Sequence, residues 1–498
     1  MKKNKIIIIG AGIAGLSAGN YLQLNDYNTE IYELHDKPGG LCTSWKRRGY
    51  NFDGCIHSIG GLNPKFRLYQ YLNEIIDMTQ LKFYYHEKLG YVEDENGKKI
   101  TFFTNPDKLK KELLSIAPED EKFIKVFIKA VKKLENRDLS PKKPLELWTP
   151  IDYFLSQFRV GAVLYQLTKW RKSLEEMVKD CKNPFLKRAI NMDFFSRYPA
   201  YFLIMSLGHC HNKNSGYPIG GSLQFACLFE RRYLELGGRI NYKSKITKIN
   251  TKDNRAIGVT LENGVIINEA DIVISAADGY YTIFEMLDGK YVNEKIKKLY
   301  DEHPRWPSMV LVSLGLSRTF ENEPTSVELH LNKEFIVDGK SKLDSIPITI
   351  YNFDSTLSSK GKTCMRVILH TTNYLYWNNL RNKDIDKYKH EKERISNEVI
   401  KILDKRFGNI INNVEVIDVA TPATFKRYTN NWMGSTQGWN WGPRLVPEFI
   451  SKELSGLKNF YMIGQWTIPG GGVSTAFTSG RDIAQIICKK DNKKFRTS

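Results

Sequence analysis

The first strongly patterned stretch is apolar and β-branched, Lys5–Ile9, the signature of a strand buried on both faces of a parallel sheet. It runs into Gly10-Ala11-Gly12-Ile13-Ala14-Gly15, after which residues 16–24 place apolar side chains at helical spacing. Each glycine has its own task. Gly10 makes a tight turn, Gly12 lets the backbone approach a pyrophosphate, and Gly15 lets the helix pack on the strand. A second strand follows at 29–33 and ends on Glu33, where an acidic side chain binds a dinucleotide's ribose 2′-hydroxyl and disfavours a 2′-phosphate. Basic residues before an apolar run also outline a secretory leader. Strand, glycine turn, helix and terminal acid in register favour a folded, retained N-terminus instead.

Two later stretches carry related patterns. Tyr217-Pro218-Ile219-Gly220-Gly221 opens a helix that leads to strands at 245–249 and 270–277. Near the end, 459–465 reads as a strand, and Pro469-Gly470-Gly471-Gly472-Val473-Ser474 starts a last helix reaching Cys488. A glycine-rich turn at a helix N-terminus offers free N–H groups and the positive end of the helix dipole. Nothing after residue 65 repeats a strand, G-x-G-x-x-G and helix, so no dedicated nicotinamide domain is expected. The tail at 489–498 is expected to be a frayed end.

After Glu33 come Gly39-Gly40-Leu41-Cys42-Thr43-Ser44 and then Phe52-Asp53-Gly54-Cys55-Ile56-His57. With Gly434-Ser435-Thr436-Gln437-Gly438-Trp439, Gly464-Gln465-Trp466 and Ser479-Gly480-Arg481, these segments resemble the flavin amine oxidase superfamily. Within it the chain is most similar to the phytoene desaturase, carotenoid isomerase and retinol saturase group. The resemblance implies an α/β fold with a Rossmann-like FAD-binding domain in three discontinuous segments, 1–65, 215–290 and 415–498. A mixed α+β substrate-binding domain would then comprise 66–214 and 291–414.

FAD is the implied cofactor, with Gly10, Gly12, Ile13, Ala14, Gly15 and Glu33 at its adenosine and phosphate end. Gly39, Gly40, Leu41 and Thr43 would lie near the pyrophosphate, and Asp53, Ile56 and His57 would approach the flavin. The resemblance also implies contacts from Ile246 to adenine, from Ala276, Gly464 and Gln465, and from Gly472, Val473 and Ser474 on the pyrimidine side. Gln465 departs from the family, many members of which carry Asp or Glu there, and a neutral amide changes the field near the phosphates.

In this group the flavin N5 does the hydride chemistry and the protein supplies an apolar tunnel, so no acid–base pair is required. Tunnel walls are expected from 153–170 and 194–205, both aromatic and apolar. His57 and Trp439 are the catalytic candidates among side chains; Trp441, Cys42 and Cys55 are also expected near the flavin. His209-Cys210-His211 has metal spacing but no second ligand pair, so no metal site is expected. The implied activity is an FAD-dependent oxidoreductase acting on carbon–carbon bonds of a lipophilic polyene or fatty-acyl-like substrate, as desaturase, saturase or redox-neutral isomerase. Its electron partner would be a quinone, oxygen or NAD(P)H. Two alternatives are a flavin amine oxidase and a basic membrane- or nucleic-acid-binding protein with a vestigial flavin fold.

Composition trims these options. The 498 residues carry 74 Lys+Arg against 55 Asp+Glu, a net charge of +19, yet 41% are hydrophobic, enough for a folded core. No run approaches the roughly 18 apolar residues of a spanning helix. Seven scattered cysteines lack a C-x-x-C pair, which suits reduced thiols and a cytoplasmic setting. The densest basic runs, 108–111, 122–133 and 295–298, are interleaved with apolar and acidic residues at helical spacing, so no nucleic-acid partner is expected. The positive charge instead suits the anionic inner leaflet of a membrane, from which a lipid substrate is drawn.

Overall fold

Lys5–Ile9 is the middle strand of a five-stranded sheet ordered 239–241, 28–32, 5–9, 272–275 and 460–462, with every neighbouring pair parallel. This computed structural model describes residues 4–441 and 450–497; in the helix Pro150–Lys169 the side chains of 156–164 lie outside the description. Ile6 and Ile8 point into a cluster with Leu16, Tyr21, Tyr233 and Ile483 of the helices Ile13–Leu24, Gly221–Glu235 and Val473–Lys490. Ile7 and Ile9 point the other way, onto Ile249, Ala256 and Val259 of a small antiparallel sheet. With both faces covered, the strand needs no polar alternation, and each buried isoleucine contributes about 1.5–3 kcal/mol. Gly15 has the packing task expected of it, since a Cβ there would stand 2.0 Å from the Gly10 carbonyl oxygen.

A second sheet of seven strands runs Val414–Ala420, Ser308–Leu316, Thr363–Thr371, Ser341–Ile350, Ser326–Asp338, Lys88–Asp94 and Lys99–Phe103. All its pairs are antiparallel except Ser326–Asp338 with Lys88–Asp94. One face, including Val312, Ile346, Ile348, Met365, Val367 and Leu369, packs on Trp377 and on Ile395, Val399 and Leu403 of the helix Ile385–Phe407. The expected segment boundary at 415 falls inside the edge strand Val414–Ala420, which pairs with Ser308–Leu316.

A helical layer completes the molecule. Pro106–Ile116, Glu121–Leu134, Pro184–Ile190 and Ala200–His211 share a core that includes Leu109, Phe127, Val131, Leu186 and Leu203. In Glu121–Leu134 the buried stripe Ile124, Phe127, Ile128, Val131 and Leu134 leaves Lys122, Lys125, Lys129, Lys132 and Lys133 exposed. Much of the positive charge is therefore a set of solvated helix faces.

The tail corrects an expectation. Asn25 binds Arg496 through both its amide groups, Nδ2 donating to the carbonyl at 2.9 Å and Oδ1 accepting from the backbone N–H at 2.7 Å, and Phe495 packs 5.7 Å from the Tyr21 ring. Two backbone hydrogen bonds and an aromatic contact outweigh the entropy that was expected to fray this end.

Candidate functional site

At the carboxyl ends of the parallel strands, where open α/β sheets bind ligands, a cavity of about 740 Å³ opens and runs on to the polar face of the seven-stranded sheet. Its first end is lined by Gly10, Gly12, Ile13 and Ala14 after one strand, Glu33 after the next, and Ala276 and Gly464 after two more. Gly39, Gly40, Leu41, Ile56, His57, Ile246, Gln465, Gly472, Val473 and Ser474 line it as well. The sequence-predicted residues thus converge on one place, with five exceptions described below.

Backbone groups dominate this end. The helices Ile13–Leu24 and Val473–Lys490 start at Gly12 and Gly472 without a side-chain cap, so their first N–H groups lack intrahelical acceptors. Free space lies where a Cβ at Gly12 or Gly472 would stand, and Gly472 has φ +95°, a conformation that favours glycine. The Glu33 carboxylate is pinned by the Ala11 N–H at 2.7 Å and the His35 N–H at 2.8 Å, and burial raises its pKa. It keeps lone pairs for a ribose hydroxyl. Two dipole ends, glycine clearance and a fixed acid make a cradle that fits the two phosphates and adenosine ribose of FAD.

Gly15, Thr43, Asp53 and Trp439 do not line the cavity among the described residues. Gly15 is spent on packing. Asp53 is saturated: Oδ2 accepts from the Tyr217 hydroxyl at 2.7 Å and the Ser222 N–H at 2.8 Å, and Oδ1 accepts from the Ser222 hydroxyl at 2.5 Å and the Cys55 N–H at 3.0 Å. It ties the strand Tyr50–Asp53 to the helix Gly221–Glu235 and so holds the wall from behind. Thr43 is turned away from the cavity, its hydroxyl buried without a partner among the described residues. Trp439, expected against the flavin, is buried; its Nε1–H donates to the Trp466 carbonyl at 3.0 Å and its ring packs edge-on to Trp466 and Tyr300. Trp441 likewise lies outside the lining and packs on Tyr201.

His57 lines the cavity, but its chemistry differs from that of a free base. Arg366, itself buried, donates from Nη2 to His57 Nδ1 at 3.0 Å and from Nη1 to the Asp53 carbonyl at 2.9 Å. Burial and the guanidinium hold the imidazole well below its ordinary pKa, so it stays neutral with its lone pair occupied. Cys42 and Cys55 also line the cavity, but the neighbouring Cys55 thiol and burial push the Cys42 thiol up, away from a reactive thiolate.

Beyond His57 the wall turns aromatic. Phe194, Phe195, Tyr198, Phe202, Met205 and Trp306 line it, with Tyr198 stacked on Phe202 at 4.1 Å, so 194–205 does supply a wall. The other expected wall does not follow. Tyr153, Phe154, Leu155 and Tyr165 of Pro150–Lys169 are more than half exposed, Trp170 is buried in the helical core, and the side chains of 156–164 lie outside the description.

Sequence reasoning missed a polar cluster where the helix Asp193–Ser196 meets the seven-stranded sheet. His370 Nδ1 lies 2.6 Å from Asp193 Oδ2, Arg197 Nη2 donates to Asp193 Oδ1 at 2.7 Å, and Glu328 Oε1 accepts from the Asp193 N–H at 3.3 Å. An acid–base pair therefore exists where none was required. Its members are 177 residues apart in the chain, and the one available signal was the alternation of Arg366, Ile368 and His370 with Met365, Val367 and Leu369.

A family model described as flavin containing amine oxidoreductase matches residues 13–488. Prolycopene isomerase 1, chloroplastic, of an Oncidium hybrid cultivar is 25% identical over 517 residues, covering 95% of this chain and 82% of its own. The neurosporene-forming phytoene desaturase of Rhodobacter capsulatus is 24% identical, with 97% and 94% covered. All-trans-retinol 13,14-reductase of Danio rerio is 25% identical, with 97% and 86% covered. A solved structure of wild-type putrescine oxidase bound to putrescine superposes with a TM-score of 0.56 at 12% identity, covering 98% of this chain and 99% of that one, a likeness of fold.

Proposed function

The chain belongs to the flavin-containing amine oxidoreductase family and is an FAD-dependent enzyme, and from that premise we propose that it acts on carbon–carbon bonds of a lipophilic polyene. The observation that carries this reading is the continuity of one cavity from the glycine cradle to the aromatic wall of Phe194, Phe195, Tyr198, Phe202 and Trp306. Relatives named for prolycopene, phytoene and retinol support it. Bound FAD supplies hydride exchange at its N5.

The chain's own residues do the rest. Glu33 binds the ribose, the starts of Ile13–Leu24 and Val473–Lys490 receive the phosphates and the pyrimidine side, and the aromatic wall excludes water and aligns an extended chain. Arg366 fixes His57 in its neutral form beside the reacting region. The cofactor domain comprises 1–65 and 215–290 with a last segment that starts after the strand Val414–Ala420; the remainder forms the substrate domain. Desaturation, saturation and redox-neutral isomerisation all use this arrangement, with electrons exchanged through a quinone, oxygen or NAD(P)H as the direction requires.

Membrane attachment belongs to the same reading. Leu139 is exposed and lines the cavity, which places a mouth there, and the nearby helix Pro150–Lys169 presents Ile151, Phe154, Leu155 and Tyr165 outward. Exposed apolar side chains beside Lys142, Lys143 and Lys169 suit an anionic leaflet on the cytoplasmic side.

Anaerobic incubation of the FAD-loaded protein with phytoene, prolycopene and retinol, followed by mass and retention analysis, tests the activity. The expected result is a shift of two hydrogens or a changed isomer in at least one; unchanged polyenes in every redox state of the flavin overturn the reading.

A further inference from the structure

The seven cysteines are scattered along the chain, yet two of them meet in the wall of the cavity. Ser44–Arg47 pairs antiparallel with Tyr50–Asp53, Ser44 facing Asp53, and the ladder runs on through the Gly54 N–H, which donates to the Thr43 carbonyl at 3.0 Å. The next facing positions in that register are Cys42 and Cys55. Their thiols lie within hydrogen-bonding reach of each other, and both residues line the cavity.

Directly facing residues of an antiparallel pair have Cα atoms about 4.5–5.5 Å apart, inside the span of about 4.4–6.8 Å that a disulfide bridges. The backbone on either side is anchored. The Cys42 N–H donates to the Gly39 carbonyl at 3.0 Å, the Cys55 N–H to Asp53 Oδ1 at 3.0 Å and the Ile56 N–H to the Ser222 hydroxyl at 2.8 Å. With its S–H directed to the Ser222 carbonyl at 3.4 Å, Cys42 leaves its sulfur lone pairs for Cys55. A bond between sulfur atoms held in this way needs rotation of side chains, not a rearranged loop.

The place matters as much as the contact. Gly39, Gly40 and Leu41 lead into Cys42, Ile56 and His57 follow Cys55, and all of them line the cavity that fits the cofactor. The Cys55 thiol, burial and the charge of Asp53 push the Cys42 thiol up, which argues against a lone nucleophile. A dithiol and a disulfide are both uncharged, so surroundings that resist a thiolate accept either form. A bond that opens and closes in use also suits a chain whose other thiols are reduced.

We propose that Cys42 and Cys55 form a dithiol–disulfide couple that exchanges two electrons with bound flavin, so that the FAD-loaded protein stores electrons in two places. As the S–S bond forms, two S–H bonds break; the electron pair and one proton reduce oxidised FAD, and the second proton passes to water. The reverse step reopens the dithiol at the expense of reduced FAD. The exchange requires no other oxidant or reductant and nothing of the substrate, so it is independent of the polyene reading.

The test oxidises the FAD-loaded protein with diamide, removes the reagent, and reduces the protein anaerobically in steps with dithionite. Flavin absorbance follows one centre; alkylation and peptide mass analysis follow the other. Full reduction is expected to consume about four electrons per flavin, twice what flavin alone takes, with new thiols at Cys42 and Cys55. That measurement requires no variant to fold. Uptake should fall to about two electrons in Cys42→Ser and in Cys55→Ser, and in apoprotein treated alike the Cys42–Cys55 bond should stay closed. Absence of that bond after diamide, uptake of about two electrons by the unmodified protein, uptake of about four that survives in both serine variants, or opening of the bond as readily in apoprotein overturns the proposal.

Discussion

The two ends of the cavity are built on opposite principles. At the parallel sheet the cavity meets main chain, the uncapped helix starts at Gly12 and Gly472, where side chains chiefly need to be absent. At the seven-stranded sheet the lining is made of side chains, with Glu328 and His370 each braced by Asp193, more than 100 residues away. A backbone cradle fails when anything is added to it. A side-chain pocket loses its selectivity one group at a time.

The largest effect that would test this contrast is Gly12→Val. Branched carbon atoms entering the space before Ile13–Leu24 should lower the flavin content of the purified protein at least tenfold while circular dichroism stays unchanged. Full flavin occupancy in that variant would break the comparison, because the helix start could not then be the phosphate cradle.

On the other side, Glu328→Gln should show a dependence on pH. The folded pKa of Glu328, about 7, lies above the ordinary carboxylate value, so its contribution to stability is fully present at low pH and is lost as pH rises toward and through 7. Asp193 and Asp344 oppose its ionisation, whereas Ser345 and the Asp193 N–H favour it. Relative to the unmodified protein, Glu328→Gln should therefore gain unfolding free energy between pH 5 and pH 8, on the order of 3 kcal/mol for a shift of this size. Urea titrations at the two pH values measure it, and a constant difference would show that Glu328 is not insulated from water.

Glu33→Ala is expected to weaken FAD binding about tenfold, less than the glycine substitution, because it removes one ribose contact and leaves the phosphate cradle in place. Calorimetry on the apoprotein decides it, and a loss as large as that of Gly12→Val would blur the distinction. The smallest effect belongs to Trp439→Phe, which forfeits the hydrogen bond to Trp466 at a cost of about 1 kcal/mol. The flavin spectrum should not move; a shifted spectrum would return Trp439 to the cofactor.

The same contrast explains what could be read from the chain. Lys5–Ile9, Gly10 to Gly15 and Glu33 are contiguous and carry fixed spacings because one strand, one turn and one helix do the work locally. The motif around Asp53 marks a loop of the cavity wall without telling which way the carboxylate turns, and four donors turn it away from the cavity. Trp439 stands behind the wall for a related reason that its segment does not announce, the hydrogen bond to the Trp466 carbonyl. Asp193 and His370 carried no motif, since a hydrogen bond between a short helix and a strand 177 residues later is set by the packing of two layers.

One consequence of the five-stranded sheet concerns the order in which the chain is made. Its outer strand Phe460–Met462 and the helix Val473–Lys490 are synthesised long after Lys5–Ile9, yet they close the same site. Until they emerge, Ile272–Ser275 is a bare sheet edge with unpaired N–H and C=O groups, open to the wrong partner. A chain interrupted before residue 460 thus owns the whole G-x-G-x-x-G signature and still has no finished place for the cofactor. The parallel sheet and the cavity at its carboxyl ends are therefore complete only when the last segment, from Phe460 onward, has been made.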